Sequence, residues 1–363
     1  MLSNLLDNLS RWSASVHLDS ARCLRVADVF GRHDACTLCV QACPRQALAV
    51  RESGAPAALA TDLCDGCGIC VRVCPGESLL AAGEQAAIAR TLEGGARAAT
   101  VRYVCSAVRA EVEAHGRAVA CLASIDWAEL ATVTLGAPGE VVLESNDCRQ
   151  CPRGEVALPE IDRLIAIMGR LAPKLGTRFV WTASSASLQP AAALSRRSLL
   201  GIFRRPVARE PAAPARPPAP VQRWLRSELV ARLRLLSAPS LARLTGDGLD
   251  LGGVSGRPHV EAALCTTCPV CSASCPTQAL TLRGDGTLEV ADALCNGCGR
   301  CVESCRERAM HLSRRVDLQE WARGHRLLAS SRPAPCRVCG GTALLPRIGL
   351  CASCYRTHGA FAP

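Results

Sequence analysis

Cysteine supplies most of the chemistry available to this chain. There are 24 cysteines in 363 residues, and most fall two residues apart, a spacing for metal ligation rather than for packing. The densest array runs Cys265, Cys268, Cys271 and Cys275-Pro276, then Cys295, Cys298, Cys301 and Cys305. A near-copy runs Cys36, Cys39 and Cys43-Pro44, then Cys64, Cys67, Cys70 and Cys74-Pro75. Two intervening residues let successive thiolates face one pocket while the backbone wraps it, and C-x2-C-x2-C-x3-C is a ligand spacing of iron–sulphur clusters. The chemistry this offers is one-electron transfer. Disulfides or separate zinc sites are the competing readings, and eight cysteines so spaced, with no secretory signal ahead of them, fit clusters better.

On these motifs residues 258–313 resemble a bacterial-type dicluster 2[4Fe–4S] ferredoxin, and so do residues 20–80. The spacers agree: Cys43-Pro44-Arg45-Gln46-Ala47-Leu48 parallels Cys275-Pro276-Thr277-Gln278-Ala279-Leu280, each followed by two short strand patterns around a turn with Gly54, or with Gly284 and Gly286. The resemblance implies a small α+β (ββα)2 wrap in each module, with the fourth cysteine of each run serving the other run's cluster. Cys305 then joins Cys265, Cys268 and Cys271, while Cys275 joins Cys295, Cys298 and Cys301. In the first module Cys43 joins Cys64, Cys67 and Cys70. Arg306 stands where the family has proline, and a cation there favours the reduced cluster.

The first module departs from the pattern at His33, which occupies the first cysteine's place and leaves Cys36, Cys39 and Cys74 short of a fourth ligand. Cys23 is the favoured donor, because thiolate is the preferred ligand for these clusters. Ligation by His33 and an incomplete, three-iron cluster are the alternatives. The bland readings are a buried free Cys23 and a surface His33.

Residues 99–182 alternate strand-like and helix-like patterns: strands at 101–105, 118–122, 141–144 and 178–182, helices near 106–115, 125–133 and 158–172. That order predicts a parallel sheet flanked by helices. Cys105, Cys121, Cys148 and Cys151 then converge at the carboxyl edge, where open sheets bind ligands. The layout is loosely similar to the small iron–sulphur delta subunit of methanogen-type hydrogenases and heterodisulphide reductase complexes, which implies a further cluster here. Zinc, redox-active thiols and buried structural cysteines remain open. At the C-terminus Cys336, Cys339, Cys351 and Cys354 resemble a zinc ribbon, with a rubredoxin-like single iron as the alternative and His358 as a bystander.

These sites define the expected architecture, an α+β multidomain chain. Residues 1–95 hold an N-terminal helix and the first dicluster module, 96–183 the α/β domain, 184–250 a linker and basic helix, 251–330 the second module and 331–363 the ribbon. Hydrophobic content of 49% with 20% charge is globular, and aromatics at only 3% are tolerable where metal ligation contributes folding free energy. Leu2, Leu5, Leu6, Leu9 and Trp12 predict an amphipathic helix, not a signal peptide. The pair Arg196-Arg197 lies mid-chain without a following apolar segment, so an export role is discounted.

Residues 191–245 carry eleven arginines and two acids, so nearly all of the net charge of +10 sits in this connector. Within it, residues 211–220 read as a Pro-rich linker. Trp224, Leu225, Leu229, Leu233 and Leu236, interleaved with Arg223, Arg226, Arg232 and Arg234, predict a basic amphipathic helix. Such a helix suits an acidic protein or an anionic membrane surface, against a solvated connector as the plain reading. Arginines alone give no ground for nucleic-acid binding.

With no dinucleotide fingerprint, Walker A sequence or paired catalytic carboxylates, no catalytic residue is named. The expectation is a cytoplasmic electron-transfer protein or subunit holding four [4Fe–4S] clusters, one zinc and a further centre in the middle domain, serving a partner oxidoreductase. Two alternatives stand beside it. One is a redox enzyme subunit using the middle cysteines for thiol or persulphide chemistry; the other is an assembly or redox-sensing factor for an iron–sulphur or molybdenum enzyme.

Overall fold

The alternation over 99–182 folds as a four-stranded, all-parallel sheet in the order Arg117–Val119, Thr100–Cys105, Glu140–Asn146, Arg178–Ser184. The computed structural model describes residues 16–26, 36–81, 83–95, 98–108, 116–136, 139–184, 220–245, 248–251, 254–262, 264–345, 349–351, 353–354 and 357. The expected N-terminal helix, His33, most of the expected helix at 106–115, the Pro-rich linker and His358 lie outside these residues.

Strand Thr100–Cys105 has a neighbour on each side, so the chain order reverses there and the ligand-binding crevice of such a sheet opens at its carboxyl end. Helix Gly154–Leu171 covers one face with Ala157, Ile161, Leu164, Met168 and Leu171, the spacing of a single apolar stripe. Helix Trp127–Leu135 differs: every residue from Trp127 to Thr134 is buried, because it is enclosed on all sides. Asp126 caps it by accepting from the Ala128 N–H at 2.8 Å.

That helix is enclosed in part by segments from beyond residue 220. Helix Val221–Leu233 packs against it through Leu225, Leu229 and Leu233, and Trp127 meets Trp321 of helix Leu318–Arg323 with ring centroids 5.6 Å apart. Arg226, which the sequence pattern assigns to a polar face, is buried, and so is Gln222 one turn before it. The connector helix is an internal strut between the two halves. Its leucine face is covered by the chain's own helices. Arginines 196, 197, 204, 205, 209 and 216, the rest of the proposed docking charge, fall outside the described residues.

The two cysteine-rich modules are quasi-repeats. In the first, Leu48–Ala49 pairs antiparallel with Ala58–Leu59, and Val16–Leu18 with Leu79–Ala81. In the second, Leu280–Leu282 pairs with Thr287–Ala291, and Arg257–Val260 with Met310–Ser313. Each run carries a short helix, at Leu38–Gln41, Ile69–Val73, Val270–Ala273 or Arg300–Glu303. Three residues beyond every fourth cysteine the chain turns left-handed: Gln46, Glu77, Gln278 and Arg308 have φ of 51°, 52°, 57° and 52°. Non-glycine residues adopt this conformation at a cost. The turn aims the next N–H back at sulphur, as Ala47 donates to Cys43 Sγ at 3.2 Å and Ser78 to Cys74 Sγ at 3.4 Å.

Candidate metal centres

The local turns gather thiols, and long-range contacts sort them into sets. Burial pushes Cys271 up to about 12, with the charges of Cys268, Cys265 and Cys305 adding to it. Burial also raises Cys301, and there the thiols that add to it are, in order, Cys295, Cys298, Cys275 and then Cys271. The proximities are therefore crossed between the two runs. In the first module Cys70 is raised by burial and then by Cys67, Cys64 and Cys43. Cys39 is pushed up to about 12 by burial and then by Cys74, Cys36 and Cys23.

Cys23, thirteen residues upstream of Cys36, is thus brought beside the three thiols that lack a fourth. Two features carry it there. Arg25 is buried and donates to Ala55 O at 2.9 Å, Glu52 O at 3.0 Å and Cys36 O at 3.4 Å, pinning the segment after Cys23 onto the Cys36 loop. Gly76, just past Cys74, lets the backbone pass so close to Arg22 that a Cβ would lie 2.4 Å from the Arg22 carbonyl oxygen. Neither residue carries a sequence signal, since a clamp on distant carbonyls has no local motif.

The middle cysteines also converge. Cys121 is pushed up to about 11 by burial, with Cys105 and Cys148 among the contributing charges. Cys148 is raised by burial and then by Cys105 and Cys151. This group abuts the first module: Arg153 donates to Asp65 at 2.8 and 3.0 Å and to Ala120 O at 2.5 Å, tying the Cys64 loop to the turn before Cys121. Cys67 lies within electrostatic reach of Cys121, and burial, reinforced by Asp65 and Cys121, pushes it up to about 12.

The modules meet each other directly. Asn296, between Cys295 and Cys298, donates its side-chain N–H to the carbonyl of Pro75, the residue after Cys74. Cys36, Cys74 and Cys298 line one cleft of about 930 Å³ with Glu77, Gln222 and Arg226. The α/β domain touches both halves: Val156, Pro159, Glu160 and Arg163 line this same cleft, and Trp127 meets Trp321.

Spread separates two kinds of site. Among the described residues, the only group of three or more Cys, His, Asp or Glu donor atoms within 4.8 Å of one another is Cys336, Cys339, Cys351 and Cys354. Cys339 Sγ and Cys351 Sγ are 3.8 Å apart, and a tetrahedron with metal–sulphur bonds of about 2.3 Å has an edge of about 3.8 Å. Hairpin Arg332–Pro335 with Thr342–Leu345 positions the first two of these thiols. Backbone N–H groups of Cys339, Cys351 and Val338 pull Cys336 down to about 6. The other sets are wider, as a multi-iron core requires and a single ion does not. Cys265, Cys268, Cys271 and Cys305 frame a cavity of about 200 Å³ with Arg306 among its lining residues. All-thiol donor sets of this kind suit iron–sulphur ligation, and bound iron deprotonates the thiols despite their raised values.

Comparison with known families agrees with this geometry. Residues 34–79 match one family of 4Fe–4S dicluster domains and residues 257–306 match another. The chain carries two 4Fe–4S dicluster domains. Their ferredoxin-like character gives it an iron–sulphur electron-transfer role. No curated protein matches the chain. The four C-terminal cysteines form a further candidate metal site, and no described helix is long and apolar enough to cross a membrane.

Proposed function

We propose that this protein relays single electrons through four [4Fe–4S] clusters to or from a partner oxidoreductase, whose active site does the substrate chemistry. The first dicluster domain uses Cys43, Cys64, Cys67 and Cys70 for one cluster and Cys23, Cys36, Cys39 and Cys74 for the other. The second uses Cys265, Cys268, Cys271 and Cys305, then Cys275, Cys295, Cys298 and Cys301. Bound iron supplies the one-electron couple; the chain contributes the ligands, a largely buried shell and N–H···S hydrogen bonds that tune it.

The observation that carries the reading is the serial arrangement of the thiol sets. Cys121 lies within electrostatic reach of Cys67, Cys70 of Cys39 and Cys301 of Cys271, and Asn296 donates to the Pro75 carbonyl. Each step joins one set to the next. The middle cysteines hold a further iron–sulphur centre at one end of this series. Burial raises Cys121 and Cys148, the opposite of the lowered pKa of a nucleophilic thiol, which supports ligation over thiol or persulphide chemistry. Cys336, Cys339, Cys351 and Cys354 hold structural zinc in a ribbon, and the thiol-rich composition suits the reducing cytoplasm.

Iron, sulphide and zinc analysis of anaerobically purified protein, with electron paramagnetic resonance of the reduced form, tests this. About sixteen or more irons with one zinc support it, and a protein that binds only zinc refutes it. A Cys105/Cys148 double-serine variant tests the middle centre, which predicts loss of iron above sixteen together with one signal.

A further inference from the structure

The junction between the dicluster domains holds a buried cation that no ligand motif calls for. Arg226 sits on helix Val221–Leu233 and is only 4% exposed. It donates to Leu294 O, the residue before Cys295, and to Val254 O, both at 3.2 Å. Its Nε has no hydrogen-bond partner among the described residues. The same side chain lines the cleft shared by Cys74 and Cys298. A buried guanidinium is costly unless a negative charge faces it.

Two negative groups are candidates. Glu77 is the nearby acid; burial raises its pKa against the pull of Arg226, Arg223 and Arg22, and Arg223 already approaches its carboxylate at 3.5 Å. The other is the net charge gained by an iron–sulphur centre on reduction. The bond from Arg226 to the Leu294 carbonyl sets the guanidinium against the backbone that leads directly into Cys295. The cation therefore borders the Cys275/Cys295/Cys298/Cys301 set and, across the cleft, the Cys23/Cys36/Cys39/Cys74 set.

We propose that the dicluster domains exchange electrons directly across the Pro75–Asn296 contact, and that Arg226 is the positioning residue that tunes this crossing by favouring the reduced state of both adjoining centres. The inference rests on the electron-transfer reading above. In the crossing one centre loses one electron as its neighbour gains one, and no bond is made or broken. The electron is supplied and removed by one-electron protein partners at the two ends of the series. A positive charge stabilises the more negative, reduced state, so Arg226 raises the potential of the junction centres relative to the outer ones, Cys43/Cys64/Cys67/Cys70 and Cys265/Cys268/Cys271/Cys305. The α/β domain is then a terminus of the series, although it lies between the modules in sequence.

Redox titration of the full chain, followed by electron paramagnetic resonance, tests this with Arg226→Met and Arg226→Lys. Arg226→Met is expected to shift the sharing of an electron between the Cys275 and Cys265 sites about tenfold toward the latter, about 59 mV for a one-electron couple. The Cys23 site moves the same way against the Cys43 site, and Arg226→Lys restores most of the shift. Unmoved potentials with iron retained, or one shift common to all centres, overturn the role of Arg226. Should Arg226→Met shed iron, Cys298→Ser decides: losing that junction centre relieves the magnetic broadening that it imposes on the first module's signals in reduced protein. An unchanged first-module spectrum overturns the direct crossing. The iron and sulphide count keeps the two readings apart, since a full complement with unmoved potentials defeats only the role of Arg226, and a chain without clusters defeats electron transfer itself.

Discussion

The two dicluster domains share their motif order, their left-handed turn after each fourth cysteine and their crossed thiol proximities, but they assemble the last set differently. In the second domain all eight thiols come from residues 265–305, and the run is its own scaffold. In the first, His33 takes a cysteine's place, and the thiol beside Cys36, Cys39 and Cys74 is Cys23, held by Arg25 and admitted by Gly76. The difference teaches that a thiol can be brought beside three others from outside their motif where a buried clamp and a close backbone passage replace the lost local geometry. The first domain should therefore be sensitive to residues that the second has no equivalent of.

The largest effect should come from the thiols. Cys23→Ala and Cys265→Ala are expected to cost about four irons each, measured by iron analysis and the loss of one reduced-state signal. Full iron in Cys23→Ala, beside a loss in Cys265→Ala, would mean that the first domain is completed by another group. Next comes Arg25→Met, which removes three donations to carbonyls and should destabilise the first domain by roughly 3 kcal/mol in denaturant titration while sparing the second. Equal loss in both domains would deny a dedicated clamp.

Gly76→Ala is expected to cost about 2 kcal/mol by overpacking against the Arg22 carbonyl and to shed iron from the Cys23 site before any other. The corresponding positions, Arg45, Thr277 and Glu307, already carry side chains, so Thr277→Ala should leave the iron content unchanged. The smallest effect concerns pH. Metal binding expels thiol protons, so loading weakens as pH falls. Within the quartet Cys336 is pulled down to about 6 while Cys354, like Cys39 and Cys271, is pushed up to about 12, so the quartet has one proton fewer to expel near neutrality. Metal titrations of the unloaded chain from pH 8 to 6 should weaken binding at the cluster cysteines more than at the C-terminal quartet. A parallel decline at both kinds of site would contradict that ordering.

Much of the fold was legible in the sequence. The strands expected at 101–105, 141–144 and 178–182 lie within Thr100–Cys105, Glu140–Asn146 and Arg178–Ser184, because alternating apolar residues between turn signals report a local preference. The strand expected over 118–122 ends instead at Val119, and Leu122–Ser124 forms a 3-10 turn that carries Cys121 to the sheet's edge. Helix Val221–Leu233 was legible as a helix but not as an interior one. Its arginines suggest an outer face, yet Arg226 reaches buried carbonyls, and Arg232 donates to Thr132 O and Leu92 O at 3.3 and 3.4 Å. A long side chain can turn its charge inward to serve unpaired carbonyls, and composition does not record which way it turns.

By itself the sequence determined the chemistry, because ligand spacing in a cysteine run is a local property: a few residues of backbone decide which thiols face one pocket. Only the tertiary structure decided how the sites connect. The contact between Asn296 and Pro75 joins residues 221 positions apart, and Gln222 donates to Val71 O from 151 positions away. Pairings at such separations are set by the burial of shared surface around helices Trp127–Leu135 and Val221–Leu233. No local pattern encodes which domains will meet once that surface is buried.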